Sequence, residues 1–301
     1  QMVWLNSSYS QIAIIFPFVA AMSNYLNKDF TLGGLMQVAS AFGRVQDSLS
    51  YFADTYSSLA QWQAVVMRLT LFGHHMEDVN NATEAFHLDR FATADTVSAE
   101  NMTVSLPDGT PLLDKISFEL VPGTNVLVKG VSGSGKSTLL RAIAGIWPYV
   151  EGKIHLPEAK NLMFIPQRPY IPLGSLREAL HYPGKINMTD EETIEYLELC
   201  HIGYLKDKLD VVADWTHVLS IGEQQRLAFC RAHIQKPIWL FLDEATSALD
   251  EETEGAMYEL LQTKLPGTTL VSVGHRSTLN AYHAKVLRIN KDSKRVSFEE
   301  L

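Results

Sequence analysis

Asn125-Val-Leu-Val-Lys129, followed at once by Gly130-Val-Ser-Gly-Ser-Gly-Lys136-Ser137, is the stretch on which the reading of this chain turns. Its apolar opening has the length and character of a buried strand. The segment from Gly130 to Ser137 has the spacing GxxxxGKS, the phosphate-binding loop or P-loop. Glycines at these points let backbone N–H groups converge on phosphate oxygens where a Cβ would obstruct them. The helix expected from Ser137 to Ile146 aims its positive N-terminal end at the same spot. Gly130, Ser132, Gly133, Ser134, Gly135, Lys136, Ser137 and Thr138 are therefore candidate nucleotide-binding residues. Lys136 is suited to neutralise the β- and γ-phosphates, and the Ser137 hydroxyl to ligate Mg²⁺. Alone, the motif says nucleotide phosphate and no more.

A second element sharpens it. Ile238-Trp-Leu-Phe-Leu242 is a continuous apolar run, as a strand covered on both faces would be. Asp243 and Glu244 follow at its carboxyl end, where open α/β sheets place their ligands. Asp243 is placed to hold Mg²⁺, and Glu244 to act as base or orienter for an attacking water. A surface acidic pair is the bland alternative, and the hydrophobic run before it argues against that.

The rest of the chain bounds the partners. The 301 residues carry a net charge of −9, which offers no general attraction to nucleic acid. Cys200 and Cys230 are the only cysteines, without CxxC or zinc spacing, and read as buried reduced thiols. The adjacent His74 and His75 would diverge by about 100° on a helix and read as a solvated pair, not metal ligands. The chain begins with Gln1 and lacks a basic leader, and is expected to be part of a longer polypeptide.

The front end differs sharply from the remainder. No charged side chain occurs from Gln1 to Asn27, and only Arg44, Asp47 and Asp54 occur from Phe30 to Met67. Met2 to Leu26 has the length needed to cross a hydrocarbon core, with Pro17 as a kink and Trp4, Tyr9 and Tyr25 near the interfaces. Lys28 and Asp29 mark a polar turn before a second segment, Leu32 to about Phe72, rich in small residues. The expectation is two transmembrane helices, about 2–26 and 32–72, forming the end of a membrane domain over residues 1–72. A pair of buried helices in a soluble protein is the alternative. Residues 73–96 read as a helix end and linker, and 97–301 as the nucleotide-binding domain.

Leu219-Ser-Ile-Gly-Glu-Gln-Gln-Arg226 resembles the signature of ABC ATPases. Gln167 in FIPQRPY resembles the Q-loop, Ser247-Ala-Leu-Asp250 the D-loop, and His275 the switch histidine. IPQRPYIPLGSLREALHYP and LSIGEQQRLAFCRA look most like one branch of ABC transporters, the peroxisomal acyl-CoA half-transporters and bacterial relatives of the YddA and BacA kind. The resemblance implies an α/β P-loop ABC ATPase domain, with a mostly parallel core sheet, an antiparallel β subdomain and a helical subdomain. It implies ATP and Mg²⁺ as cofactors, with Glu244, His275 and Gln167 catalytic and Ser137, Gln167 and Asp243 around the metal. Ser220, Gly222, Glu223 and Asp250 would serve a nucleotide held by a second copy. The working unit would be a head-to-tail homodimer, or a heterodimer with a related half-transporter, in contact with membrane lipid. Further transmembrane helices would lie upstream, making residues 1–72 the last two of six. The location implied is a bacterial inner membrane, or an organelle membrane such as the peroxisome's, with the ATPase domain in the cytosol. A soluble or regulatory ABC ATPase outside transport is the rival reading.

Two residues depart from the family pattern. Ile221 stands where the signature commonly has Gly, and its side chain is expected to point away from phosphate. Leu106 stands where many ABC domains stack adenine on an aromatic ring.

Overall fold

The computed structural model describes residues 2–27, 31–84, 86–92, 95–185 and 188–301. The chain divides into two compact units, Gln1–Asn80 and Asn81–Leu301.

The first unit is helical: α1, Met2–Leu26, and most of α2, Leu32–Glu84. Thr31 starts α2, its hydroxyl accepting the Gly34 N–H at 3.3 Å and its carbonyl that of Leu35 at 3.1 Å. The Phe16 and Phe42 rings meet with centroids 5.6 Å apart, and Ala21 and Leu35 are buried. Many other apolar side chains face outward, Ile12, Ile14 and Val19 on α1 and Leu49, Leu59 and Trp62 on α2 among them. Among the described residues no helix is long and apolar enough to cross a membrane, which departs from the two spans expected. The reason lies in composition. α1 opens with Asn6, Ser7, Ser8, Ser10 and Gln11, and α2 mixes Gln37, Arg44, Gln46 and Asp47 into its apolar residues. Lack of charge is not the same as apolarity, because hydroxyls and amides also favour water. The expected Lys28–Asp29 turn and the side chains of Trp4, Tyr9 and Asp54 lie outside the described residues.

The stretch 73–96 holds a strand in addition to the helix end and linker expected. The helix α2 continues through it to Glu84, and β1, Leu88–Ala92, pairs in parallel with β5, Val150–Leu156. Then come β2, Val97–Ser105, and β3, Pro111–Leu120, giving a four-stranded sheet of order β1-β5-β2-β3. In this sheet β2 runs antiparallel to both β3 and β5.

The larger sheet has six strands. It is built from β4, Val126–Lys129; β6, Leu162–Ile165; β9, Trp239–Asp243; β10, Thr269–Val273; β11, Lys285–Asn290; and β12, Arg295–Glu300. Their order is β12-β11-β4-β10-β9-β6, parallel except for β12 at the edge. All residues of β10 are buried, as are Trp239 to Leu242 of β9, as expected of strands covered on both faces. Parallel strands release their following loops at one edge, so the segments after β4, β6, β9 and β10 gather there. α3, Lys136–Ala144, and α8, Glu251–Lys264, follow two of those loops.

A helical region lies between β6 and β9 in sequence. The short pair β7, Gly174–Ser175, and β8, Val212–Ala213, accompanies α4, Leu176–His181; α5, Asp190–Leu199; α6, Trp215–Val218; and α7, Ile221–Gln235. Ser175, Thr189 and Ser220 each form a capping box, with Glu178, Glu192 and Glu223 respectively, which fixes where α4, α5 and α7 begin. Buried Trp215, Phe229, Met257 and Tyr258 pack in a core shared with this region. A second core under the four-stranded sheet holds Met102, Ile116, Ile143, Trp239 and Phe241.

Candidate nucleotide site

The loop after β4 is shaped by its glycines. Gly133 and Gly135 adopt φ of 73° and 94°, a left-handed conformation that glycine takes without steric cost. At Gly130 a Cβ would stand 2.6 Å from Ser134 Oγ and 2.9 Å from the Ile289 carbonyl oxygen, so no side chain fits. Lys136 is almost fully buried and folds back over the loop, donating to the carbonyls of Gly130 at 3.0 Å and Val131 at 3.2 Å. Burial pushes its pKa down, against the attraction of Glu244 and Asp243.

The two residues expected at the metal meet directly. Ser137 Oγ donates to Asp243 Oδ1 at 2.7 Å. Burial raises the Asp243 carboxyl above the usual range, while the bond from Ser137 and the charge of Arg141 act the other way. A hydroxyl and a carboxylate are hard oxygen donors that suit Mg²⁺, which keeps most of its shell for water and phosphate. Among the described residues no group of three or more His, Cys, Asp and Glu is arranged to hold a metal by itself. The pair thus fits an ion shared with a nucleotide, not an all-protein cage.

Glu244 turns out of the strand. Its φ of 50° is uncommon for a residue with a side chain, and its N–H donates to the Val273 carbonyl at 3.1 Å. Both carboxylate oxygens have a neighbour: Gln167 Nε2 donates to Oε2 at 3.3 Å, and His275 Nε2 lies 3.4 Å from Oε1. The loop after β6, the end of β9 and the loop after β10 therefore converge on one carboxylate.

Around these groups lies an open cavity of about 500 Å³. Ser132, Gly133, Gly135, Lys136, Ser137, Thr138, Gln167, Asp243, Glu244 and His275 line it, with Arg141 and Arg168 as further cations. Ser134 is buried with its hydroxyl against Gly130 and does not line the cavity. Ser220, Gly222, Glu223 and Asp250 do not line it either. Ser220 caps α7, its N–H and hydroxyl donating to Glu223 Oε2 at 2.8 and 2.7 Å. Asp250 caps α8 by accepting the Thr253 N–H at 2.7 Å. Ile221 is exposed at the first position of α7. Leu106 is half-buried in the turn between β2 and β3, its N–H donating to the Thr110 carbonyl at 2.8 Å.

Several residues at the site escaped the sequence reading. Gln225 donates to the Gln167 carbonyl at 2.9 Å and to Ser247 Oγ at 3.2 Å. Arg276, next to His275, donates to the Leu249 carbonyl at 2.8 Å. Glu254 is buried and accepts from Thr246 at 2.5 Å and Thr278 at 2.9 Å, tying the loops after β9 and β10 together.

Residues 113–247 match the family model described as ABC transporter. The chain belongs to the ABC transporter family. Residues 2–77 match a second model, the SbmA/BacA-like family. An uncharacterized ABC transporter ATP-binding protein of Haemophilus influenzae is 42% identical over 94% of this chain and 47% of its own length. The inner membrane ABC transporter ATP-binding protein YddA of Escherichia coli is 31% identical over 91% of this chain and 47% of its own. ABC transporter D family member 2 of Arabidopsis thaliana, named as chloroplastic, is 29% identical over 95% of this chain and 51% of its own. These relatives fall in the branch that the sequence phrases resemble. The chain spans about half the length of the curated relatives it matches.

Proposed function

We propose that this chain binds and hydrolyses ATP as the motor part of a membrane transporter, working in pairs. The observation that carries the reading is the Glu244 carboxylate, flanked by Gln167 and His275 at a P-loop cavity that also holds the Ser137–Asp243 pair. On nucleotide entry, Lys136 exchanges the Gly130 and Val131 carbonyls for phosphate oxygens, and the loop N–H groups bind the remaining charge. Mg²⁺, beside Ser137, Asp243 and Gln167, would neutralise the β- and γ-phosphate oxygens. Glu244 accepts a proton from the water that attacks the γ-phosphate, giving ADP and phosphate. Gln167 and His275 hold that carboxylate and the water in line.

Ser220, Gly222, Glu223 and Asp250 stand outside the cavity, which supports their serving the nucleotide of a second chain, identical or related. Closing the pair excludes water from a highly charged site, and phosphate release opens it. The match of residues 2–77 to the SbmA/BacA-like family and the outward-facing apolar side chains of α1 and α2 support a place for these helices in a membrane domain with further helices. Their polar residues would then face protein or a water-filled path.

The test is paired. Lys136→Ala is expected to lose ATP binding, measured with a fluorescent nucleotide. Glu244→Gln is expected to keep binding and lose about 10²–10⁴-fold in turnover. Turnover of Glu244→Gln within about twofold of the parent would remove Glu244 from the catalytic role.

A further inference from the structure

Gln225 lies in the second turn of α7, inside the signature segment, and is fully buried. Its amide is fully employed. Nε2 donates to the Gln167 carbonyl at 2.9 Å and to Ser247 Oγ at 3.2 Å, while Oε1 accepts the Ala248 N–H at 3.1 Å. A carbonyl acceptor on one side and a backbone donor on the other fix which way the amide points. Neighbouring Gln224 behaves differently, giving its Nε2 to the Thr216 and Leu219 carbonyls, each at 2.9 Å. That bond set belongs to the local chain. The Gln225 set joins segments far apart in sequence.

Those segments flank Glu244. The Gln167 side chain donates to Glu244 Oε2, and the Ser247 N–H donates to the Glu244 carbonyl at 3.0 Å. Gly222, one turn before Gln225, fits closely against the same loop, where a Cβ would stand 3.2 Å from the Ala248 carbonyl oxygen. Removing the Gln225 amide would take one partner each from the Gln167 carbonyl, the Ser247 hydroxyl and the Ala248 N–H, and the two loops would lose the bonds that hold them to α7.

We propose that Gln225 is a positioning residue for the hydrolysis step: it holds the Gln167 backbone and the Ser247 hydroxyl so that Gln167 reaches Glu244. The proposal rests on the ATPase reading above. It assigns to Gln225 no contact with nucleotide or water.

The experiment measures ATP turnover against ATP concentration for the intact protein in lipid, with equilibrium binding of a fluorescent ATP analogue and thermal melting alongside. Gln225→Glu keeps an acceptor for Ala248 and loses both donations; Gln225→Met keeps the shape and loses all three bonds. Both are expected to lower kcat by about tenfold to a hundredfold. KM and nucleotide affinity are expected to stay within about threefold. Ser247→Ala removes the hydroxyl that accepts from Gln225 Nε2 at 3.2 Å and, at 3.5 Å, from Gln167 Nε2. It leaves the other two Gln225 bonds in place and is expected to lower kcat by a smaller factor. Unchanged kcat in folded Gln225→Met, or a rise in KM with kcat intact, would overturn the proposal. If both Gln225 variants fail to fold, Ser247→Ala decides it, and unchanged kcat there overturns it. A parent protein without ATP turnover would instead sink the ATPase reading.

Discussion

Trp62 on α2 leaves 64% of its surface open, whereas Trp239 on β9 leaves none. The contrast extends to the surroundings of each ring. Trp239 stacks on Phe241 at 6.2 Å and its indole N–H donates to the Asp95 carbonyl at 2.8 Å. Around Trp62, Leu59, Val65, Val66 and Leu69 are exposed as well. The α/β unit spends its apolar residues on two cores, and the helical unit turns many of them outward. Bulk burial stabilises the first in water, while the second leaves a large apolar surface exposed.

The largest expected effect tests that contrast directly. Trp239→Ala opens a cavity and orphans the Asp95 carbonyl, and should cost the α/β unit about 3–5 kcal/mol. Trp62→Ala should change stability by less than about 0.5 kcal/mol in water with mild detergent. Denaturant unfolding of each variant measures both. Equal losses would mean that α2 is packed as a soluble core helix and that the contrast is false.

How far the sequence revealed each unit depends on the same physics. In the α/β unit, the P-loop and the Ile238–Asp243 strand were readable because their constraints are local: glycine where φ is positive, and an apolar run too long to expose. Gln225 was not, since Gln224 beside it is also buried and only the meeting of α7 with the loop after β9 separates their roles. Glu254 sits in an acidic first turn that reads as solvated, yet it is 2% exposed because Thr246, Thr278 and Arg276 reach it from other segments. The strand β1 was hidden in a polar linker because its partner β5 lies some 60 residues away, and pairing across that distance leaves no periodic trace. For the helical unit, missing charge was legible and helix length was too, but the hydroxyls and amides that dilute its apolarity outweigh the lack of charge.

Acid should separate the units next. Burial pushes the imidazoles of His283 and His233 down to about 4, whereas His74 and His75 in the helical unit are exposed. His283 is held by the Leu279 carbonyl at 2.7 Å and by Ser272 Oγ at 2.8 Å. A folded pKa below the unfolded 6.5 means that the unfolded chain binds more protons between pH 6.5 and about 4. Stability therefore falls as pH drops through that window and is unaffected by these groups above it. Each histidine contributes at most roughly 3 kcal/mol to the loss. In His283→Gln the slope of unfolding free energy against pH should shrink within the window. An unchanged slope would show that other groups set the acid sensitivity.

The smallest expected effect lies where the α/β unit itself resembles the helical one. At the tip of α7, Ile221 is 45% exposed and Tyr204 is 56% exposed, outside both cores. Tyr204 donates its hydroxyl to Glu223 Oε1, while Oε2 serves the Ser220 cap. Burial of the Glu223 carboxyl raises its pKa, and the bonds from Tyr204 and Ser220 outweigh this and hold it low. The carboxylate is thus charged and turned toward its own helix start. On the pairing proposed above, that matters, because a free carboxylate near the Ser220 hydroxyl would oppose a partner's γ-phosphate. Tyr204→Phe removes one hydrogen bond at an open position and should leave thermal stability almost unchanged. ATP-driven association, read by light scattering in the non-hydrolysing Glu244→Gln background, should weaken by about 1 kcal/mol, roughly fivefold. Unaltered association would make the Tyr204 bond an incidental surface contact. A matching loss of melting temperature would make it part of the core after all, and would erase the resemblance between this tip and the outward face of α2.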